Sequence, residues 1–170
     1  QTHGPYYLAG ESFGGIIALE VARLLREQGE EVHLVAMLDS MAPGFWQSLS
    51  PARKLIRHLK KVLRERRAYL NRSLLRKIKN NIFKSRVGPA ADQRANARAL
   101  ASSTYHPETF SEPVVLFKAK ERTEFEPESA DLGWGRFLSR LTVHEVSGDH
   151  LGMLQEGTVQ DLAAKLRPYL

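Results

Sequence analysis

The sequence predicts an α/β chain built on a parallel sheet, and three observations carry that prediction. Short apolar runs alternate with longer amphipathic ones along the 170 residues, the pattern of a sheet layered with helices. Ser12, Asp39, Glu121 and His150 each stand just past the carboxyl end of an apolar run, where parallel sheets gather their functional groups. The length fits one domain, long enough to bury about 70% of its unfolded surface. The chain has no cysteine, so disulfides, thiolate metal sites and cysteine nucleophiles are excluded.

The elements follow in order. Pro5 to Ala9 reads as a short buried strand. Phe13 to Gln28 reads as a helix, with apolar and charged faces and Gly29 as its stop. Val32 to Leu38 is an unbroken apolar strand that ends on Asp39. Met41 to Gln47 is a loop. From Ala52 to Phe83 leucine, isoleucine and valine recur at three- and four-residue steps with basic residues between, which predicts helix. A shorter helix is expected over Asp92 to Ser103. Pro113 to Lys118 is a third strand, Glu121 to Asp131 an acidic loop, Trp134 to Ser139 a helical turn and Leu141 to Val146 a fourth strand. Thr158 to Tyr169 is a closing helix with Thr158 or Gly157 near its cap. The expected organisation is 1–42 as core, 43–103 as a helical insert and 104–170 as the rest of the core.

The chemistry begins at Gly10-Glu11-Ser12-Phe13-Gly14, a Gly-x-Ser-x-Gly run between a strand and a helix. In that context it is a nucleophile elbow: the chain reverses within one turn and pushes the serine hydroxyl into the open. Gly10 and Gly14 are expected to be glycine because side chains there would collide across the turn. The backbone N–H of Phe13, at the helix start, is a candidate oxyanion donor. A serine needs a base, and the base needs an acid to fix its tautomer. Of six histidines, His150 follows the last strand in a loop with Gly148, Leu151 and Gly152. His3, His33, His58, His106 and His144 lie before a strand, inside strands, in the basic helix or in a loop. The acid is Asp39, or Glu121 or Glu124 after the next strand; Asp149 shapes the histidine loop.

Charge is segregated. From Pro51 to Arg86 fourteen Lys and Arg face one acid, Glu65, so that stretch carries +13 in a chain of net +6. An acidic remainder thus carries a strongly basic insert. It reads as a docking surface for an acidic partner, as a solvated face, or as a membrane or nucleic-acid surface. No apolar run approaches the ~20 residues of a membrane span. The lack of cysteine suits the cytoplasm, the expected location.

Five segments together resemble the thioesterase domains of non-ribosomal peptide and polyketide synthases, a branch of the α/β-hydrolase fold. They are Tyr-Tyr-Leu-Ala-Gly-Glu-Ser-Phe-Gly-Gly (6–15), Ala-Leu-Glu-Val-Ala-Arg-Leu-Leu (18–25), Leu-Asp-Ser (38–40), Gly-Trp (133–134) and Val-Ser-Gly-Asp-His-Leu-Gly-Met-Leu (146–154). In order and spacing they cover most of the chain outside 45–100. The resemblance implies Ser12 as nucleophile, Asp39 as acid, His150 as base and Phe13 as an oxyanion donor. It implies a helical lid over 43–103, with Phe45, Trp46 and Leu151 near the acyl chain and Tyr69 a further candidate. It implies a substrate carried on the phosphopantetheine of an acidic carrier protein that docks near the basic lid, no cofactor or metal, and no nucleic acid. The family has further strands before the nucleophile strand, one of which leads to a second oxyanion donor. This chain begins at Gln1, almost on that strand. The expectation is therefore a C-terminal portion of the fold, longer at its N-terminus in the native protein and poorly active alone. The alternatives are a generic carboxylesterase of the same fold, and an inactive fragment or interaction module.

Overall fold

The computed structural model describes residues 1, 3–45, 97, 100, 101, 104–122 and 129–170. The chain divides into two units, Gln1–Trp46 with Thr104–Leu170, and Gln47–Ser103. Of the second unit only residues 97, 100 and 101 are described, and they are helical. The basic helix expected over 52–83, and with it Tyr69, lies outside the described residues.

The first unit is a four-stranded, all-parallel sheet in the order β1-β2-β3-β4. The strands are β1 (Tyr6–Glu11), β2 (Val32–Leu38), β3 (Val114–Ala119) and β4 (Leu141–Val146). Helix α1 (Phe13–Glu27) joins β1 to β2, and α2 (Val159–Leu166) follows β4. Parallel neighbours require such crossovers. The central strands β2 and β3 are buried on both faces, whereas β1, expected as a buried strand, alternates half-buried and exposed residues because it lies at the edge of the described sheet. Val35, Met37, Val114 and Leu116 pack with Ile16, Leu19 and Ala22 of α1, and with Leu132 and Trp134. Leu34, Ala36, Val115 and Phe117 pack on the other face with Val146, Met153 and Leu162 of α2. Two covered faces are why β2 and β3 read as continuous apolar runs rather than alternating ones.

The ends of the elements have local causes. Gly29, at φ +80°, ends α1, and the N–H of Glu30 closes back on the Leu25 carbonyl at 3.0 Å. The predicted closing helix is α-helical only to Leu166 and tightens into a 3-10 turn over Arg167–Tyr169. Pro168 has no N–H, and its ring would crowd the carbonyl one turn back. Thr158 stands at the N-cap of α2 but makes no cap bond. Its hydroxyl donates instead to the Gly152 carbonyl. Among the described residues β1 is an edge strand, and Tyr7, Ile17, Val21 and Leu24 form exposed apolar surface on β1 and α1. No helix among the described residues is long and apolar enough to cross a membrane.

Candidate active site

β1 and β2 run in register to Glu11 opposite Leu38. Ser12 and Asp39 therefore leave adjacent strand ends side by side. The Ser12 N–H donates to the Leu38 carbonyl at 2.8 Å, so the last ladder bond positions the residue. Ser12 sits at φ 53°, ψ −119°, a conformation that L residues rarely adopt. It stands at the N-cap of α1 yet makes no cap bond. Gly10 is required: a Cβ there would lie 2.1 Å from the Gly14 carbonyl oxygen. The second constrained glycine is Gly15 rather than Gly14. A Cβ on Gly15 would lie 2.6 Å from the Ser40 Cβ, whereas Gly14 has open space among the described residues. The elbow is thus crowded across its own turn at Gly10 and against the loop after β2 at Gly15.

Asp39 also has positive φ, 44°, and is buried. Its N–H continues the ladder to the Phe117 carbonyl at 2.8 Å. One carboxylate oxygen, Oδ1, accepts the Ala119 N–H at 3.0 Å and the two terminal nitrogens of Arg122 at 3.2 and 3.1 Å. The other, Oδ2, meets His150 Nδ1 at 2.7 Å. Burial alone would push this carboxyl up. The hydrogen bonds from His150 and Ala119 and the charge of Arg122 outweigh it and hold Asp39 below the usual carboxylate range. An ionised carboxylate only accepts, so Nδ1 of His150 carries the ring proton and Nε2 is the accepting nitrogen of the neutral ring.

Three anchors hold the His150 loop. Asp161 of α2 accepts the N–H and hydroxyl of Ser147 at 2.8 and 3.0 Å. Asp149 accepts the N–H groups of Leu151 and Gly152 on its own carboxylate, at 3.2 and 2.6 Å. Met153 is fully buried in the α2 face of the core. Gly148, at φ +95°, lets the backbone approach Met153, where a Cβ would come within 2.9 Å of the Met153 nitrogen. On the opposite side, Trp134 is fully buried, and its Nε1–H donates to the Ser40 carbonyl at 2.8 Å. The loop that carries the acid is thereby fixed from below.

The remaining sequence candidates fall elsewhere. Glu121 meets the histidine loop through its backbone, its N–H on the Gly148 carbonyl at 3.1 Å. Glu124, Trp46 and His58 lie outside the described residues. Phe45 sits against Gly133, whose absent Cβ would meet its ring at 2.6 Å. Leu151 is largely exposed beside His150. Phe13 opens α1, so its N–H lies in the turn that has no partner within the helix. His3 pairs with Glu30, His33 tilts on Tyr7, His106 bonds the Thr104 carbonyl and His144 meets the Tyr169 hydroxyl. Arg122 was not singled out in the sequence. The available signal was a cation directly after a buried strand, at the edge where the acid candidates converge. It also lines an open cavity of about 560 Å³ with Lys118, Lys120, Ser129, Ala130 and Glu145. Among the described residues no cluster of His, Asp and Glu is disposed to hold a metal ion.

The profile of the family described as Thioesterase domain matches residues 1–167. The chain belongs to the thioesterase domain family. Enterobactin synthase component F of Escherichia coli (strain K12) is 31% identical over 172 residues, which is 100% of this thioesterase domain chain and 13% of that protein. The thioesterase chain thus spans about an eighth of the length of that relative. A four-domain nonribosomal peptide synthetase, holo-AB3403 bound to AMP and glycine, superposes with a TM-score of 0.69 at 27% identity. That match covers 98% of this chain and 14% of the synthetase. The NocB thioesterase domain, in covalent complex with a fluorophosphonate nocardicin G analogue, shares the fold with a TM-score of 0.66 at 23% identity. Here 99% of the thioesterase chain covers 67% of its counterpart, so the parallel sheet described above is a part of the α/β-hydrolase-like fold.

Proposed function

We propose that this chain releases an acyl or peptidyl chain from a carrier-protein phosphopantetheine thioester, with Ser12 as nucleophile, His150 as general base and Asp39 as the acid behind it. The single observation that carries this reading is the 2.7 Å contact from His150 Nδ1 to the buried, ionised Asp39, at the sheet edge where the strained Ser12 elbow also ends. Family membership supports the thioester as the bond cleaved.

The steps follow from the protonation states. Nε2 of His150 takes the Ser12 proton as the Oγ attacks the thioester carbonyl. The oxyanion is met by the Phe13 N–H at the positive end of α1. The C–S bond breaks, the imidazolium gives its proton to the departing thiolate, which leaves as the thiol, and an acyl-Ser12 ester remains. Water, or a nucleophile within the acyl chain, then attacks that ester under the same base and frees the serine. Asp39 stays ionised throughout and stabilises the imidazolium. The partner is an acidic carrier protein, steered by the +13 stretch from Pro51 to Arg86. The reaction needs no cofactor beyond the carrier's own arm.

The test is a fluorophosphonate, the reagent class bound covalently by the NocB domain. One added mass on the peptide containing Ser12, lost in Ser12→Ala, is the expected result. No labelling of Ser12 would sink the nucleophile assignment and favour an interaction module. Turnover of a carrier-bound thioester is expected to exceed that of a short-chain nitrophenyl ester. The reverse order would make the protein a general esterase.

A further inference from the structure

The acid at this site has a partner that the nucleophile–base–acid scheme does not use. We propose that Arg122 is a positioning residue of the site: its guanidinium grips one oxygen of Asp39, leaves the other for His150, and shares the carboxylate's charge with the imidazole. The proposal rests on the reading of Asp39 and His150 as acid and base.

The geometry divides the carboxylate by oxygen. Oδ1 takes both terminal Arg122 nitrogens, at 3.2 and 3.1 Å, with the Ala119 N–H at 3.0 Å. Oδ2 takes His150 at 2.7 Å, with the nearer guanidinium nitrogen only at 3.5 Å. Arg122 is itself largely buried, its side chain 13% exposed, against a carboxylate that is fully buried. A guanidinium in a low-dielectric setting is an effective charge, and its planar fork fixes the plane of what it binds. Two consequences follow. The carboxylate cannot rotate away from His150, because its far oxygen is held by three donors. The negative charge that would favour the imidazolium is also partly neutralised, so the base is available as a neutral ring at lower pH.

Among the described residues, the charged groups around His150 come from each neighbouring strand end. Asp39 arrives from β2. From beyond β3 come Arg122, and Glu121, which meets the loop through its backbone N–H. On the loop itself is Asp149, whose Oδ1 is engaged by Leu151 and Gly152. From β1 comes the neutral Ser12. Among the described residues Arg122 is the Lys or Arg in contact with Asp39, so its removal is felt at the base through Asp39.

The experiment reads His150 directly, without Ser12. Diethyl pyrocarbonate modifies the neutral imidazole, and His150 has its side chain 33% exposed. Its rate of carbethoxylation, followed by peptide mass spectrometry between about pH 5 and 8.5, gives a midpoint for that one ring. In Arg122→Gln the midpoint is expected to rise, the acid dissociation constant of the ring falling by a factor of roughly three to ten. In Arg122→Lys, which keeps the charge but not the fork, it is expected to stay near the wild type. An unchanged midpoint in Arg122→Gln, or equal shifts in the Gln and Lys variants, overturns the proposal. Should Arg122→Gln lose its circular dichroism, Arg122→Met supplies the uncharged side chain of similar length. Fluorophosphonate labelling of Ser12 in the same samples keeps the two readings apart. A wild type that does not label at Ser12 counts against the hydrolase reading, while the midpoint still decides Arg122.

Discussion

Ser12 shows how a strained residue is made affordable by its neighbours. The ladder bond to Leu38 and the missing Cβ atoms at Gly10 and Gly15 let the turn close. Gly10→Ala places a methyl 2.1 Å from the Gly14 oxygen, a backbone atom, so the elbow must open. The expected outcome is loss of fluorophosphonate labelling by at least about a hundredfold, with the fold largely kept by circular dichroism. Asp39→Asn keeps the shape of the acid but loses its charge. A fall of about a thousand- to ten-thousandfold in turnover is expected, the order seen when the acid behind a catalytic histidine is neutralised. A turnover unchanged in Asp39→Asn would remove Asp39 from the mechanism. The sequence made Ser12, Asp39 and His150 legible as candidates, since each is a polar residue just past the carboxyl end of an expected strand. Gly15 and Arg122 were not legible. Their reasons are contacts with Ser40 and Asp39, far away in the chain, and no local pattern encodes them.

At the scale of elements, β2 and β3 were readable because a parallel strand buried on both faces is a continuous apolar run, while β4 alternates as an edge strand does. The strand ends were less so. β1 extends through Gly10 and Glu11, residues with poor strand preference, because β2 lies in register beside them up to Leu38. Two short connections carry more of the site than their sequence suggests. The turn at Trp134 is capped by Asp131, which accepts the N–H groups of Gly133 and Gly135 at 2.9 and 2.8 Å. It presents the indole to the Ser40 carbonyl. Trp134→Phe leaves that carbonyl without this donor and a small void, so a loss of about 2–4 kcal/mol in a urea titration is expected. The second connection joins α2 to the histidine loop. The hydrogen bond from Lys165, then those from the N–H and hydroxyl of Ser147, hold Asp161 down at about 2. A carboxyl whose folded value lies below its unfolded value adds stability above the unfolded one, and loses it as pH falls. The thermal midpoint should therefore drop between about pH 4 and pH 2, and Asp161→Asn should flatten that drop. An equally steep acid transition in the variant would mean that the contact is unimportant to the loop.

At the scale of the molecule, charge and shape are separated along the chain. The basic stretch from Pro51 to Arg86 is an insertion between β2 and β3, and the remainder is acidic. If that stretch steers an acidic carrier, kcat/KM for a carrier-bound thioester should fall steeply with salt, while turnover of a small neutral ester stays nearly flat. Parallel insensitivity of both substrates would leave the stretch as an ordinary solvated surface. The segregation was visible in the sequence because charge is a count. The order of the strands was not visible as such. It followed only from the rule that consecutive parallel units lie side by side.

The acid draws its partners from distant parts of the chain: Ala119 and Arg122 lie 80 and 83 residues beyond Asp39, and His150 lies 111. At ordinary translation speeds of ~5–20 residues per second, the ribosome makes the acid on the order of ten seconds before the base. Throughout that interval the emerging serine has no imidazole to activate it. If Ser12 and His150 act as proposed, an unfinished chain is chemically silent toward thioesters, and reactivity arrives only once the segment after β4 has been made and docked.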